Sequence, residues 1–138
     1  MKSKLIIIQI LLLFVLTFYL SACKKKVGPG GQATVIGKVY ANDYDNTYNY
    51  LISKGYSSGT KVYIVYGDEK NIGNTMTTSI DGTFEFKYLT KGHYKVYALS
   101  VDTAYRIKGN DTENPVIKEF DIKEKKQKLV LDDIIINK

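Results

Sequence analysis

One cysteine, one histidine, two prolines and no tryptophan occur in 138 residues. A single cysteine rules out an internal disulfide, so a folded domain must be held by its packed core alone. One histidine, His93, and no cysteine beyond Cys23 leave too few soft ligands for a zinc site and no Cys–His couple for nucleophilic attack. No glycine-rich phosphate loop is present. The paired carboxylates Asp132 and Asp133 are neighbours on an expected strand, where successive side chains face opposite ways, a poor geometry for acid–base work. These absences lead to the expectation of a protein that is not an enzyme and that uses neither metal nor cofactor.

What is present begins at the N-terminus. Lys2 and Lys4 precede an apolar run from Leu5 to Leu20, broken only by Gln9 and Thr17, and the small residues Ser21 and Ala22 follow. An uncleaved membrane helix is the first alternative, but sixteen residues at 1.5 Å each reach only about 24 Å, short of a hydrocarbon core of roughly 30 Å. Ordinary secretion is the second, and it leaves an odd cysteine unexplained. Leu20-Ser21-Ala22-Cys23 resembles a bacterial lipobox, which implies removal of residues 1–22 as a signal peptide and a diacylglyceryl group on the Cys23 sulfur. The resemblance implies a lipid anchor in the cell envelope, at the outer membrane, on its periplasmic or its surface face. Lys24, Lys25 and Lys26 would sit among the headgroups, and residues 23–32, with Gly28, Pro29, Gly30 and Gly31, read as a flexible tether.

The charge balance changes with the leader removed. The full chain has 20 basic and 14 acidic residues. Loss of Lys2 and Lys4 leaves 18 against 14, or +4, of which three charges are Lys24 to Lys26. The domain behind them is near neutral, which argues against nucleic acid as a partner. Lys123, Lys125, Lys126 and Lys128 alternate with Glu124 in an expected turn and read as a solvated loop.

Residues 33–138 suit one domain. Seven stretches carry strand character: 33–40, 61–66, 74–80, 83–88, 93–101, 115–122 and 129–137. Val35 and Val39, Phe84 and Phe86, and Tyr94, Val96 and Ala98 alternate with outward residues at period two, and Pro115 suits a strand start or an edge. Asp81-Gly82 between apolar alternations predicts a hairpin. No segment of the domain predicts a helix. The expected fold class is an all-β, seven-stranded antiparallel sandwich, immunoglobulin-like or prealbumin-like.

Thr78, Asp81, Gly82, Phe84 and Phe86, followed by Leu89, Gly92, Tyr94 and Val96, resemble the pattern T-x-x-D-G-x-F-x-F-x-x-L-x-x-G-x-Y-x-V of carboxypeptidase regulatory-like domains. These are transthyretin-like (prealbumin-like) β-sandwiches. Thr34 to Val39 resembles their opening strand and Thr60 to Ile64 their second. The chain departs from the pattern in having Lys91 where proline is usual and a long insertion, Ala41 to Gly59. Lipobox, tether and one such domain together look like small outer-envelope lipoproteins of Bacteroidetes-type bacteria. The resemblance implies a spacer, accessory or binding module more than any activity.

Two functions from different classes follow. One is a membrane-anchored structural or accessory module with membrane lipid as its partner through Cys23. The other is a glycan-, peptide- or envelope-protein-binding module using the insertion, where Tyr44, Tyr48, Tyr50 and Tyr56 stand among Asn and Asp residues. Broad rings and directed polar groups on a loop are a common recognition chemistry. The bland alternative is that these rings pack the insertion onto its own domain. Asp43, Asp45 and Asn46 offer calcium oxygens without the full loop motif that calcium demands. His93 lies out of phase with the inward Tyr94 and reads as an outward strand residue.

Overall fold

The computed structural model describes residues 26–106 and 112–138. The leader and Cys23 lie outside the described residues. Among those described, no helix is long and apolar enough to cross a membrane. The described residues form nine strands: β1 (Pro29–Tyr44), β2 (Leu51–Tyr56), β3 (Lys61–Tyr66), β4 (Asn74–Thr77), β5 (Thr83–Leu89), β6 (Gly92–Val101), β7 (Glu113–Ile122), β8 (Lys128–Val130) and β9 (Ile134–Asn137). A four-residue helical turn, α1 (Thr103–Arg106), follows β6.

The expected all-β sandwich is the architecture observed, with two differences in its details. There are nine strands where seven were expected, and not all pairings are antiparallel. One sheet is built on β1, and the other runs β4-β3-β6-β7. Backbone groups at odd positions of β1 bond to one flank, as in Val39 N–H to the Gly82 carbonyl and Ser57 N–H to the Val39 carbonyl. Even positions bond to the other, as in Thr34 N–H to the Gln127 carbonyl and Tyr44 N–H to the Lys138 carbonyl. β5 and then β2 therefore occupy one flank of β1, antiparallel to it, while β8 and then β9 occupy the other, parallel to it.

The two-residue period builds the core. Val35, Val39 and Ala41 of β1, Phe84 and Phe86 of β5, and Ile134 and Ile136 of β9 face Val62 and Ile64 of β3, Tyr94, Val96 and Ala98 of β6, and Phe120 and Ile122 of β7. All are buried, and burying each such side chain contributes roughly 1.5–3 kcal/mol relative to exposure.

Residues 29–32, expected as tether, are the start of β1. Val27 packs against the core, and Gly28 is buried. Gly31 serves close approach rather than flexibility, since a Cβ there would land on the Leu89 carbonyl. The fully buried Tyr94 locks this end. Its hydroxyl donates to the Thr90 carbonyl at 2.7 Å and accepts from Gly28 N–H at 3.2 Å. Its ring stacks on Phe120 with centroids 5.6 Å apart and meets Tyr66 edge-on at 6.0 Å. Burial, aided by Tyr94 and Glu69, raises the Tyr66 hydroxyl above its ordinary pKa.

The Asp81-Gly82 hairpin is also corrected. β4 ends at Thr77 and pairs with β3, whereas β5 pairs with β1, so Asp81-Gly82 is a corner between the two sheets. Gly82 takes the left-handed φ of +78° there. The Asp81 carboxylate accepts from the hydroxyls of Ser79 at 2.6 Å and Thr83 at 2.8 Å, from Thr83 N–H at 3.2 Å, and from Lys38 at 3.2 Å. These bonds, Ser79 foremost, hold its pKa well below the usual carboxylate range. Ile80 is 91% exposed at this corner.

Candidate functional site

The insertion Ala41–Gly59 is not a loop laid across the domain. It comprises the last residues of β1, a turn, and the edge strand β2. Tyr40 pairs with Tyr56 and Tyr44 with Leu51, with a register shift at Asp43/Tyr44. Asp45 organises the turn. Its carboxylate accepts from Asn49 N–H and Tyr50 N–H, each at 3.0 Å, and from the Thr47 hydroxyl at 2.5 Å. Its carbonyl accepts from Tyr48 N–H at 2.9 Å. These bonds, with the Thr47 hydroxyl first, lower its pKa. Asp43 accepts from the Ser53 hydroxyl across the strands at 3.0 Å. The carboxylates weighed as calcium ligands thus have structural partners, and among the described residues no group of three His, Cys, Asp or Glu side chains is placed to hold a metal.

The four tyrosines do not form one face. Tyr44 and Tyr48 are half-buried, and Tyr48 takes φ +58° in the turn. Tyr50 is 74% exposed at the hairpin tip. Six residues on, at about 3.3 Å each, Tyr56 stands roughly 20 Å along the strand. Its ring meets Tyr40 edge-on with centroids 5.5 Å apart, and the Lys38 ammonium lies 4.5 Å from its centroid. Tyr56 therefore belongs with the Asp81 corner that Lys38 also serves. Two residues not singled out from the sequence join Tyr50 at the tip: Leu51 and Ile52, both exposed. The only available signal was their apolar character within a polar insertion.

His93 lies on the outer side of β6, as expected, with Nδ1 2.9 Å from Asp121 and Nε2 3.6 Å from Glu119. Lys95 also reaches Glu119, at 3.1 Å. Asp132 and Asp133 fall in the connection between β8 and β9 rather than in a strand. A recess of about 320 Å³ near the same end as the hairpin is lined by Lys61, Tyr63, Leu99, Glu113 and Lys138 among others. There the Lys138 ammonium donates to the Ser57 hydroxyl at 2.6 Å. The groups in and around the hairpin are those of hydrogen bonding and apolar contact.

No family model matches the chain, and no curated protein matches it in sequence. Among solved structures, it is similar in layout to a Pseudomonas aeruginosa protein assigned provisionally as carbohydrate-binding, at 15% identity and a TM-score of 0.46, over 77% of this chain and 91% of that one. It is similar to 5-hydroxyisourate hydrolase of Klebsiella pneumoniae at 13% identity and a TM-score of 0.44, over 83% of this chain and 94% of that one. An (S)-allantoin synthase aligns at 10% identity and a TM-score of 0.43, over 78% of this chain and 42% of that one. These likenesses concern the arrangement of strands, and the architecture above rests on the pairing of the strands themselves.

Proposed function

We propose that the protein is an envelope lipoprotein, held through lipidated Cys23, whose β-sandwich is a non-catalytic structural or accessory module. One observation carries this reading. Lys26 is already tied to the sandwich: its carbonyl accepts from the Thr90 hydroxyl at 3.2 Å, two residues before the locked Gly28. It lies three residues after Cys23, and three residue steps of chain span at most about 11 Å. The sandwich thus begins almost at the lipid, while the sixteen residues of β1 carry the hairpin about 50 Å of strand away. The lipobox pattern of residues 20–23 and the resemblance to carboxypeptidase regulatory-like domains support the same reading. Its test is metabolic labelling with a fatty acid in the host cell. Cys23→Ala should abolish the label and leave the precursor uncleaved, and a label that survives the substitution ends the proposal.

A second reading, binding of a glycan, peptide or envelope protein through residues 41–59, is favoured by the exposed Tyr50, Leu51 and Ile52 at the end of β1 opposite the anchor. A glycan array and an envelope-extract pull-down, each run with the wild-type chain and with Tyr50→Ala/Ile52→Ser, distinguish the two. Binding that the double substitution removes supports this reading. Absence of binding, or binding that the substitution leaves intact, returns the sandwich to a spacer role.

A further inference from the structure

The lysines read from the sequence as a solvated loop gather, in three dimensions, at the end where the chain enters the sandwich. Four segments meet there: the start of β1, the β3–β4 turn (67–73), the β5–β6 turn (90–91) and the β7–β8 turn (123–127). Gly67 N–H bonds to the His93 carbonyl at 2.9 Å, and Thr90 N–H to the Gly28 carbonyl at 2.9 Å. Gly92 pairs with Ile122, which brings the last two turns side by side. Lys91 and Lys125 line one recess of about 460 Å³ together with Leu89.

The charge at this end is lopsided. Within these segments Lys26, Lys70, Lys91, Lys123, Lys125 and Lys126 stand against Asp68, Glu69 and Glu124, six against three, for a net +3, while the neighbouring Asp121 is paired with His93. Elsewhere from residue 26 onward the sequence has ten basic and eleven acidic residues, a net −1. All six lysines are exposed. One of them, Lys26, is bridged to Glu69 at 3.0 Å. Two exposed apolar side chains accompany them, Ile72 at 51% and Tyr88 at 69%, the latter held at φ +61° where β5 nears its end. Lysines around an exposed aliphatic and a tyrosine are the composition of surfaces that settle at the headgroup level of a bilayer.

We propose that this end of the sandwich is a second membrane contact, which docks on an anionic bilayer beside the lipid anchor. The proposal rests on the lipoprotein reading, because that reading brings Lys26 within about 11 Å of the lipid. The neighbouring turns then lie within reach of an anionic surface, where the potential decays over roughly 8 Å at physiological salt. Contact at both the acyl group and the lysines restrains the tilt of the sandwich, which a single flexible attachment leaves free.

The test uses the lipid-free chain from Lys24 onward, since the described strands and their core lie within residues 27–138. It is sedimented with vesicles of phosphatidylcholine alone and of phosphatidylcholine with phosphatidylglycerol. The expected result is binding to the anionic vesicles only, weakening as salt rises. Lys91→Gln/Lys123→Gln/Lys125→Gln/Lys126→Gln should weaken binding about tenfold or more. Lys54→Gln/Lys61→Gln/Lys95→Gln/Lys118→Gln removes the same charge elsewhere and should change it by less than about twofold. Equal losses in the two variants, or no binding by the wild type, overturn the proposal. Vesicle binding together with a fatty-acid label that survives Cys23→Ala defeats the anchor alone. A lost label with no vesicle binding defeats this surface alone.

Discussion

The two ends of β1 are built differently. At the entry end, Tyr94, Thr90 and Gly28 share buried hydrogen bonds, and Val27 seals the core beneath them. At the hairpin end, order comes from one exposed carboxylate, Asp45, while Tyr50, Leu51 and Ile52 remain in solvent. Burial makes the first end stiff and costly to alter, because a lost partner there leaves a polar group unsatisfied away from water. Water can replace what is lost at the second, which makes it tolerant of change and free to make contacts. The lesson is that one long strand can join an end stiffened by buried hydrogen bonds to an end that tolerates change.

That contrast can be broken by measurement. The largest expected effect is Tyr94→Ala, which removes a fully buried ring and its hydroxyl and should cost about 3–5 kcal/mol in urea unfolding. A loss below about 1 kcal/mol would erase the difference between the ends. Gly31→Ala should cost about 1–3 kcal/mol, because the new Cβ displaces the Leu89 carbonyl. Tyr94→Phe, which keeps the ring and deletes the hydroxyl, should cost about 1 kcal/mol by the same measurement.

Acid sharpens the comparison from another side. The Asp81 and Asp45 pKa values are both lowered in the folded state. Their contribution is therefore complete above the unfolded-state value of about 3.9 and is lost as pH falls through the folded values. Unfolding midpoints measured across this range should fall with pH, and Asp81→Asn should flatten that slope. The smallest effect is expected at the hairpin tip. Tyr50→Ala and Ile52→Ser should change stability by less than about 0.5 kcal/mol, checked by thermal unfolding. A larger loss would show that the tip packs on something it was thought only to present.

Much of the fold was legible because inward residues alternate in β3, in β5 as far as Phe86 and in β6, and β7 was recognised despite its proline. The misreadings have physical causes. Pro29 to Gly31 has the composition of a linker, yet Gly31 is there because the Leu89 backbone leaves no room for a side chain. β2 was missed because Leu51 to Tyr56 lies almost wholly exposed at an edge and shows no alternation of burial. The stretch 129–137 was read as one strand, but Leu131 to Asp133 interrupt it, and the two halves pair with different parts of β1. Asp81-Gly82 has the composition of a hairpin turn, and composition does not reveal that its two flanking strands belong to different sheets. Of the candidate site, Tyr50 was legible as a residue of the insertion, and it lies exposed at the hairpin tip. The separation of Tyr56 from it was hidden because loop composition carries no register.

The length of β1 has a mechanical consequence. A pull between the entry end of β1 and anything grasping the hairpin runs along this one strand. Its hydrogen bonds to β5, β2, β8 and β9 lie across that line, so the load is carried in shear and shared among them rather than broken one at a time as in the opening of a zipper. The strand is a built-in tension member, and the sandwich around it is the clamp.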